Sequence, residues 1–194
     1  MKSTSKVIQG KTARRNGKEF EKMLDNYFSF LKDKKIACIE KTPEPFRYIK
    51  PFTNGGGMFV ATFIKSAQPD FKGVLFNGRE IVLESKSVSN DRINLSALTD
   101  TEREELILHD EMHALSGVIV RQKETEKIFL FPTSFFVKME ELTGFKHIKF
   151  INAEKFEIKG IEKNSVNAFW KMKEILLLTP EQCYFNLQNR QKSI

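Results

Sequence analysis

Cysteine is scarce in this chain. Cys38 and Cys183 are the only two, far apart and outside any CxxC pair. That spacing suggests neither a disulfide framework nor a zinc site, so a reducing cytoplasm is the expected compartment. Long apolar runs are missing too. None approaches the roughly 20 residues of a membrane-spanning helix, so no membrane partner is expected. The opening stretch MKSTSKVIQGKTARRNGK has no apolar segment of the secretory kind. Neither a GxGxxG loop nor a P-loop occurs, which excludes the common dinucleotide and nucleotide cradles. No internal repeat or low-complexity segment is visible.

What is present is enough for one domain with a real core. The chain has 194 residues, 40% of them hydrophobic and 29% charged, a composition typical of a globular fold. Its 18 Phe against 3 Tyr and 1 Trp read as core material. The net charge of +7 is unevenly placed: Lys2, Lys6, Lys11, Arg14, Arg15 and Lys18 face no acid before residue 19. Taking those six from the 32 basic residues leaves 26 against 25 acidic ones, a nearly neutral body. Residues 1–15 therefore read as a basic, flexible arm suited to lying along phosphates, and 16–194 as a single domain.

Apolar residues at 20, 23, 24, 27, 28 and 31 make a helical stripe over Gly17–Asp33. A short strand follows at Ile36–Glu40, stopped by Pro43 and Pro45. Two aromatic and β-branched arms, Phe46–Phe52 and Met58–Ile64, flank a glycine-rich tip and predict a hairpin. A second hairpin, strands near 70–76 and 79–86, turns at Asn77-Gly78. Residues 99–115 open with Thr99 or Asp100 as an N-cap and continue as a helix. SGVIVRQ and KIFLFP predict two strands, then PTSFFVKMEEL a short helix capped by Thr133 or Ser134. A strand near 147–151, another at KFEIKG, a helix over NAFWKMKEILLL and a frayed tail complete the chain. This order predicts an α/β domain with a mixed sheet.

The chemistry concentrates in QPDFKGVLFNGREIVLESK, residues 68–86. On a strand, residues two apart share a face, so Glu84 and Lys86 project together while Ser85 points away. Pairing across the Asn77-Gly78 turn can bring Asp70 near Glu84. Two converging carboxylates suit a hard divalent cation, which prefers oxygen ligands and keeps several waters. A lysine beside them can orient or help deprotonate a water, or neutralise charge on a phosphorane-like transition state. Acid-x-Lys triplets also occur at Asp33, Asp70 and Glu157. The apolar strand leading into Glu84-Ser85-Lys86 and the Pro69-Asp70 step before it set this one apart. His109 and His113, four apart on the predicted helix, have a zinc-chelating spacing but no evident third ligand.

Pro69-Asp70 followed by Glu84-Ser85-Lys86 resembles the PD-(D/E)xK nuclease superfamily, and residues 14 to 131 resemble the RecU family of Holliday junction resolvases. The shared features are Asn16-Gly17 with Glu21, a strand running into Lys41-Thr42-Pro43-Glu44-Pro45, a hairpin-like insert, and Asp70, Gly73 and Glu84-x-Lys86. The resemblance implies a restriction-endonuclease-like core, with a mixed β-sheet flanked by helices and a protruding stalk at about 46–66. It implies Asp70 and Glu84 as ligands of Mg²⁺ or Mn²⁺, joined by the Ser85 backbone carbonyl and by Glu21, with Lys86 acting on the attacking water. Glu21, Asp70, Glu84 and Lys86 are then the catalytic set. Lys11, Arg14, Arg15, Lys18, Arg47, Tyr48, Lys50 and Lys65 are the DNA-binding candidates, with Phe46 beside them. A homodimer making paired nicks in a four-way DNA junction during recombination or repair is the implied function. One departure is visible: the family's His-Gln pair after the lysine is replaced by Asp100-Thr101-Glu102-Arg103. Two alternatives remain open: a restriction or repair endonuclease with the same site, and a DNA-binding accessory protein that no longer cuts.

Overall fold

The computed structural model describes residues 2–43, 45–52, 56–64 and 68–188, with the side chains of 2–14 and 63 outside that description. In chain order the elements are α1 (Lys2–Asp33), β1 (Ala37–Lys41), β2 (Phe46–Pro51), β3 (Phe59–Phe63), β4 (Phe71–Leu75), β5 (Glu80–Val88) and β6 (Arg92–Asn94). Then come α2 (Asp100–Glu111), β7 (Leu115–Gln122), β8 (Lys127–Pro132), α3 (Thr133–Val137), α4 (Met139–Thr143), β9 (His147–Lys149), β10 (Glu157–Ile158), α5 (Val166–Leu176) and α6 (Pro180–Gln188).

One six-stranded sheet, in the order β1-β4-β5-β7-β8-β10, carries the domain. It is mixed: β5 and β7 run parallel, and every other neighbouring pair is antiparallel. The parallel pair needs a crossover, and the chain from β6 through α2 supplies it. The apolar runs of β7 and β8 are buried on both faces, as expected of strands in the middle of a covered sheet. Phe129, Phe131, Phe135 and Phe136 belong to this core, with ring contacts to Phe150 and Phe156.

Helix α1 lays Phe20, Leu24, Tyr27, Phe28 and Leu31 on the sheet, the stripe expected from spacing. Phe28 meets Phe71 edge to face at 5.1 Å, which anchors the first residue of β4. Burying a side chain of that size is worth about 1.5–3 kcal/mol. Gly73 is what lets β1 lie close to β4: a Cβ there would run into the Cys38 carbonyl.

Three expectations are corrected. Helix α1 begins at Lys2, not Gly17, so the helix takes in the backbone of the basic segment as well. Residues 2–16 contain no proline to stop it. The helix expected after β8 is two short ones that meet at Lys138, and its N-cap is Pro132 in place of Thr133 or Ser134. Helix α6 (Pro180–Gln188) stands where no element was expected, and residues 189–194 of the tail read as frayed lie outside the described residues.

The β2–β3 hairpin forms a separate two-stranded sheet with a register shift at Ile49. Every described side chain of β2 is exposed. The central glycine-rich tip residues 53–55, and Lys65, lie outside the described residues.

Candidate active site

The loop length of the β4–β5 hairpin decides what stands opposite Glu84. Leu75 accepts from the Gly78 N–H at 2.9 Å and donates to the Arg79 carbonyl at 2.9 Å, which leaves a three-residue loop, Phe76-Asn77-Gly78. Gly78 takes the left-handed conformation at φ +80°, as a turn-plus-bulge loop requires. The ladder then pairs Val74 with Glu80 and Phe71 with Leu83. Continued by one residue, it sets Asp70 against Glu84. A two-residue loop would have slipped the register by one and set Phe71 against Glu84 instead.

Residues 84–88 keep β7 as a partner but run past the end of β4. The Ser85 N–H, open on that edge, donates to Asp70 Oδ2 at 2.9 Å, and the Ser85 hydroxyl donates to the same oxygen at 2.7 Å. Ser85 thus does not point away, as side-chain alternation alone suggested. Its hydroxyl turns to Asp70 because the carboxylate has taken the place of a missing strand. The Asp70 N–H in turn donates to Glu84 Oε2 at 3.3 Å. Glu84 is only 3% exposed. Burial, and then the charge of Asp70, push its carboxyl up to about 8. Burial also raises Asp70, against the two Ser85 hydrogen bonds. A buried and a half-buried carboxylate that resist joint ionisation form a pair that a cation would relieve.

Lys86 Nζ lies between two acids, donating to Glu84 Oε1 at 2.8 Å and to Glu102 Oε2 at 3.1 Å. Burial alone would lower its pKa, but the two carboxylates outweigh burial and hold it above the ordinary lysine value. Glu102 comes from the first turn of α2. It closes a capping box with Thr99, accepting the Thr99 N–H at 2.9 Å while Thr99 Oγ1 accepts the Glu102 N–H at 3.3 Å. Burial would raise its pKa, yet Thr99 and Lys86 hold it below the usual carboxylate range.

Glu21 is held by Lys41 Nζ at 2.6 Å, and its charge reaches Asp70, adding to the rise there. Thr42, next along from Lys41, donates its N–H to the Asp70 carbonyl at 2.8 Å, while its own buried hydroxyl has no hydrogen-bond partner among the described residues. The two histidines do not chelate. His109 Nδ1 meets Glu80 at 3.2 Å, and His113 leaves the helix in a left-handed turn at φ +67°.

Over residues 15–176 the chain matches the family described as RecU, Recombination protein U. The chain belongs to the RecU family. RecU is a nuclease family that acts on branched DNA in recombination. The match extends well past residue 131, where the resemblance read from motifs had stopped. No curated protein matches the chain significantly. The α/β architecture, with its mixed six-stranded sheet flanked by helices, agrees with the restriction-endonuclease-like fold expected of this family. No described helix is long and apolar enough to cross a membrane.

In this RecU chain, the structure brings Asp70, Glu84, Ser85 and Lys86 together and places Glu21 beside them in the hold of Lys41. The donor set fits a hard divalent cation: oxygens at least half-buried, from two acidic side chains. Among the described residues no third His, Cys, Asp or Glu joins Asp70 and Glu84 in a metal-sized cluster. Such an ion would complete its shell with backbone oxygen and water, as Mg²⁺ commonly does. Of the DNA-binding candidates, Arg15 and Lys18 are exposed about one to two turns before Glu21, and Arg15 pairs loosely with Glu19 at 3.7 Å. Arg47, Tyr48 and Lys50 are exposed on β2, well separated from that pair in sequence. The side chains of Lys11 and Arg14, and all of Lys65, lie outside the described residues. Sequence reading had Glu102 only as an open replacement for the missing glutamine and did not read its contact with Lys86, although Thr99-Asp100-Thr101-Glu102 is a legible capping box.

Proposed function

We propose that this RecU family member is a divalent-metal-dependent endonuclease that resolves four-way DNA junctions by paired nicks, acting as a homodimer in the cytoplasm. The observation that carries the reading is the pairing of buried Glu84 with half-buried Asp70, with Lys86 Nζ 2.8 Å from Glu84. Such a pair has little structural purpose by itself, since a buried carboxylate beside another is costly unless a cation joins them. The free thiols Cys38 and Cys183 suit a reducing compartment.

Mg²⁺ or Mn²⁺, when bound, supplies Lewis acidity toward the scissile phosphate and a water of lowered pKa. Asp70 and Glu84, with the Ser85 backbone carbonyl, hold it. The Ser85 hydroxyl and N–H keep Asp70 turned into the site. Lys86, kept cationic by Glu84 and Glu102, donates hydrogen bonds: it orients the attacking water and offsets the negative charge that grows on the phosphate. Its raised pKa favours this role over proton abstraction. Glu21 contributes charge beside Asp70. Arg15 and Lys18, with Lys11 and Arg14, lie along a phosphate backbone. Phe46, Arg47, Tyr48, Lys50 and Lys65, on or beside the hairpin, meet the opened bases and phosphates of the branch point, which makes the hairpin the stalk of the enzyme.

The test is cleavage of an end-labelled synthetic four-way junction with Mg²⁺ and with Mn²⁺, beside linear duplex and a Lys86→Ala control. Symmetric nicks in the junction alone, slowed by about 10² or more in the variant, are expected. Tight junction binding with no cutting under either metal would overturn the catalytic part.

A further inference from the structure

Strand β6 pairs with β9 so that Arg92 stands opposite Lys149, Ile93 opposite Ile148 and Asn94 opposite His147. Ile93 and Ile148 are buried, so alternation turns Arg92, Lys149, Asn94 and His147 to the other face. Two cations directly across a strand pair repel each other and weaken the ribbon. Asp91 bonds Arg92 Nε at 2.9 Å, and its charge reaches Lys149 from farther off, one acid facing two cations. A short ribbon built with an internal repulsion invites an anion to complete it.

The ribbon borders a cavity of about 430 Å³. Arg92, His147 and Lys149 line it together with the rings of Phe145 and Tyr184, and no Asp or Glu is among the lining residues. Phe145 is exposed, with its ring 5.8 Å from that of His147. Cations and aromatic rings lining one cavity are what a phosphate joined to a base requires, and the volume lies within the range of small-ligand pockets. The ribbon is also tied to the catalytic strands. β6 belongs to the segment between Lys86 and Glu102, and it is pinned by bonds from Phe150 N–H to the Asp91 carbonyl (2.9 Å) and from Leu95 N–H to the Lys146 carbonyl (2.8 Å).

We infer that this cavity is a further DNA contact, binding one nucleotide of a substrate strand with its phosphate on Arg92 and Lys149 and its base against Phe145 and Tyr184. The inference rests on the DNA-cleaving reading above and adds to it a site lined by none of the carboxylates, Lys86 or the β2–β3 hairpin residues.

The experiment compares wild type, Lys149→Gln and Arg92→Gln/Lys149→Gln. It measures anisotropy of a labelled four-way junction over a salt series, and melting with and without inorganic phosphate. Wild-type binding should weaken with salt, and the slope of log affinity against log salt should become shallower by about one in the single variant and about two in the double. Lys149→Gln should melt no lower than wild type, because it removes a repulsion. An unchanged slope in the double variant, with wild type binding normally, overturns this site and leaves the function standing. Failure of wild type to bind the junction removes the functional reading itself. If phosphate then protects wild type and not the double variant, the cavity holds a free anion only, and the DNA assignment falls.

Discussion

Lys86 has two acidic partners, and they differ in what else they do. Glu84 is buried against Asp70, so its carboxylate is shared with the site. Glu102 is shared with a helix cap, since the same Oε2 accepts from Thr99 and from Lys86. Two substitutions separate these roles. Glu102→Gln keeps an acceptor for the cap and for Lys86 but removes the charge, whereas Glu102→Ala removes both. The alanine variant is expected to lose about 0.5–1 kcal/mol of stability and to slow junction cleavage by up to about 10², because Lys86 is left to Glu84 alone. The glutamine variant should keep the stability and most of the rate. Denaturant midpoints and single-turnover cleavage read the two effects, and a wild-type rate in Glu102→Ala would show that Glu84 suffices to place the lysine. The Glu84–Lys86 pair was legible in the sequence because side-chain alternation is local. The second partner was not, because Lys86 and Glu102 meet only after the chain crosses over through β6 and the start of α2. Ser85 was misread for a related reason: its hydroxyl meets Asp70 only because β4 ends short of it and leaves that edge open to the carboxylate.

At the scale of elements, hairpins were the most readable features. Asn77-Gly78 announced the β4–β5 turn, and the actual loop of three residues decides the register that the site depends on. The β2–β3 hairpin was equally plain from its aromatic arms. What sequence could not show was how openly it carries them. Phe46 stacks on Phe59 at 5.4 Å and Tyr48 lies 5.9 Å from the same ring, while Tyr48 is 55% and Phe59 47% exposed. Rings so placed give little to the core. Tyr48→Ala and Phe59→Ala should therefore leave the melting temperature nearly unchanged. Each should weaken junction binding by about 1–3 kcal/mol if its ring stacks on an opened base, and leave fully paired duplex binding alone. Parallel titrations of the two DNAs check this, and equal losses on both would make the hairpin a general phosphate contact. The elements missed were those with faint patterns. β6 has three residues, and α6 buries only Cys183, so neither shows a periodic apolar stripe.

For the whole molecule, the buried carboxylates make stability depend on pH and on metal together. Glu84 is pushed up to about 8 in the folded protein, against about 4.3 for a glutamate in an unfolded chain. Between those values the folded state keeps a proton that the unfolded state releases. Stability is therefore greatest below about 4.3 as far as this group is concerned, and falls as pH rises toward 8. Asp70, raised in the same direction, adds to the trend. In EDTA, the melting temperature should decline between pH 5 and 8.5, and Glu84→Gln should flatten much of that decline. A divalent cation reverses the logic by favouring the ionised pair. At a hundredfold excess over its dissociation constant, it contributes about 2.7 kcal/mol, or roughly 5–10 °C for a chain of this size. The gain should be larger at pH 8.5 than at pH 6, where protons compete for Glu84, and absent from Glu84→Gln. Melting scans across pH with EDTA, Mg²⁺ and Mn²⁺ measure it directly. A flat profile in EDTA, or an equal metal gain in the variant, would place the ion's hold elsewhere and leave the Asp70–Glu84 pair without its assigned work.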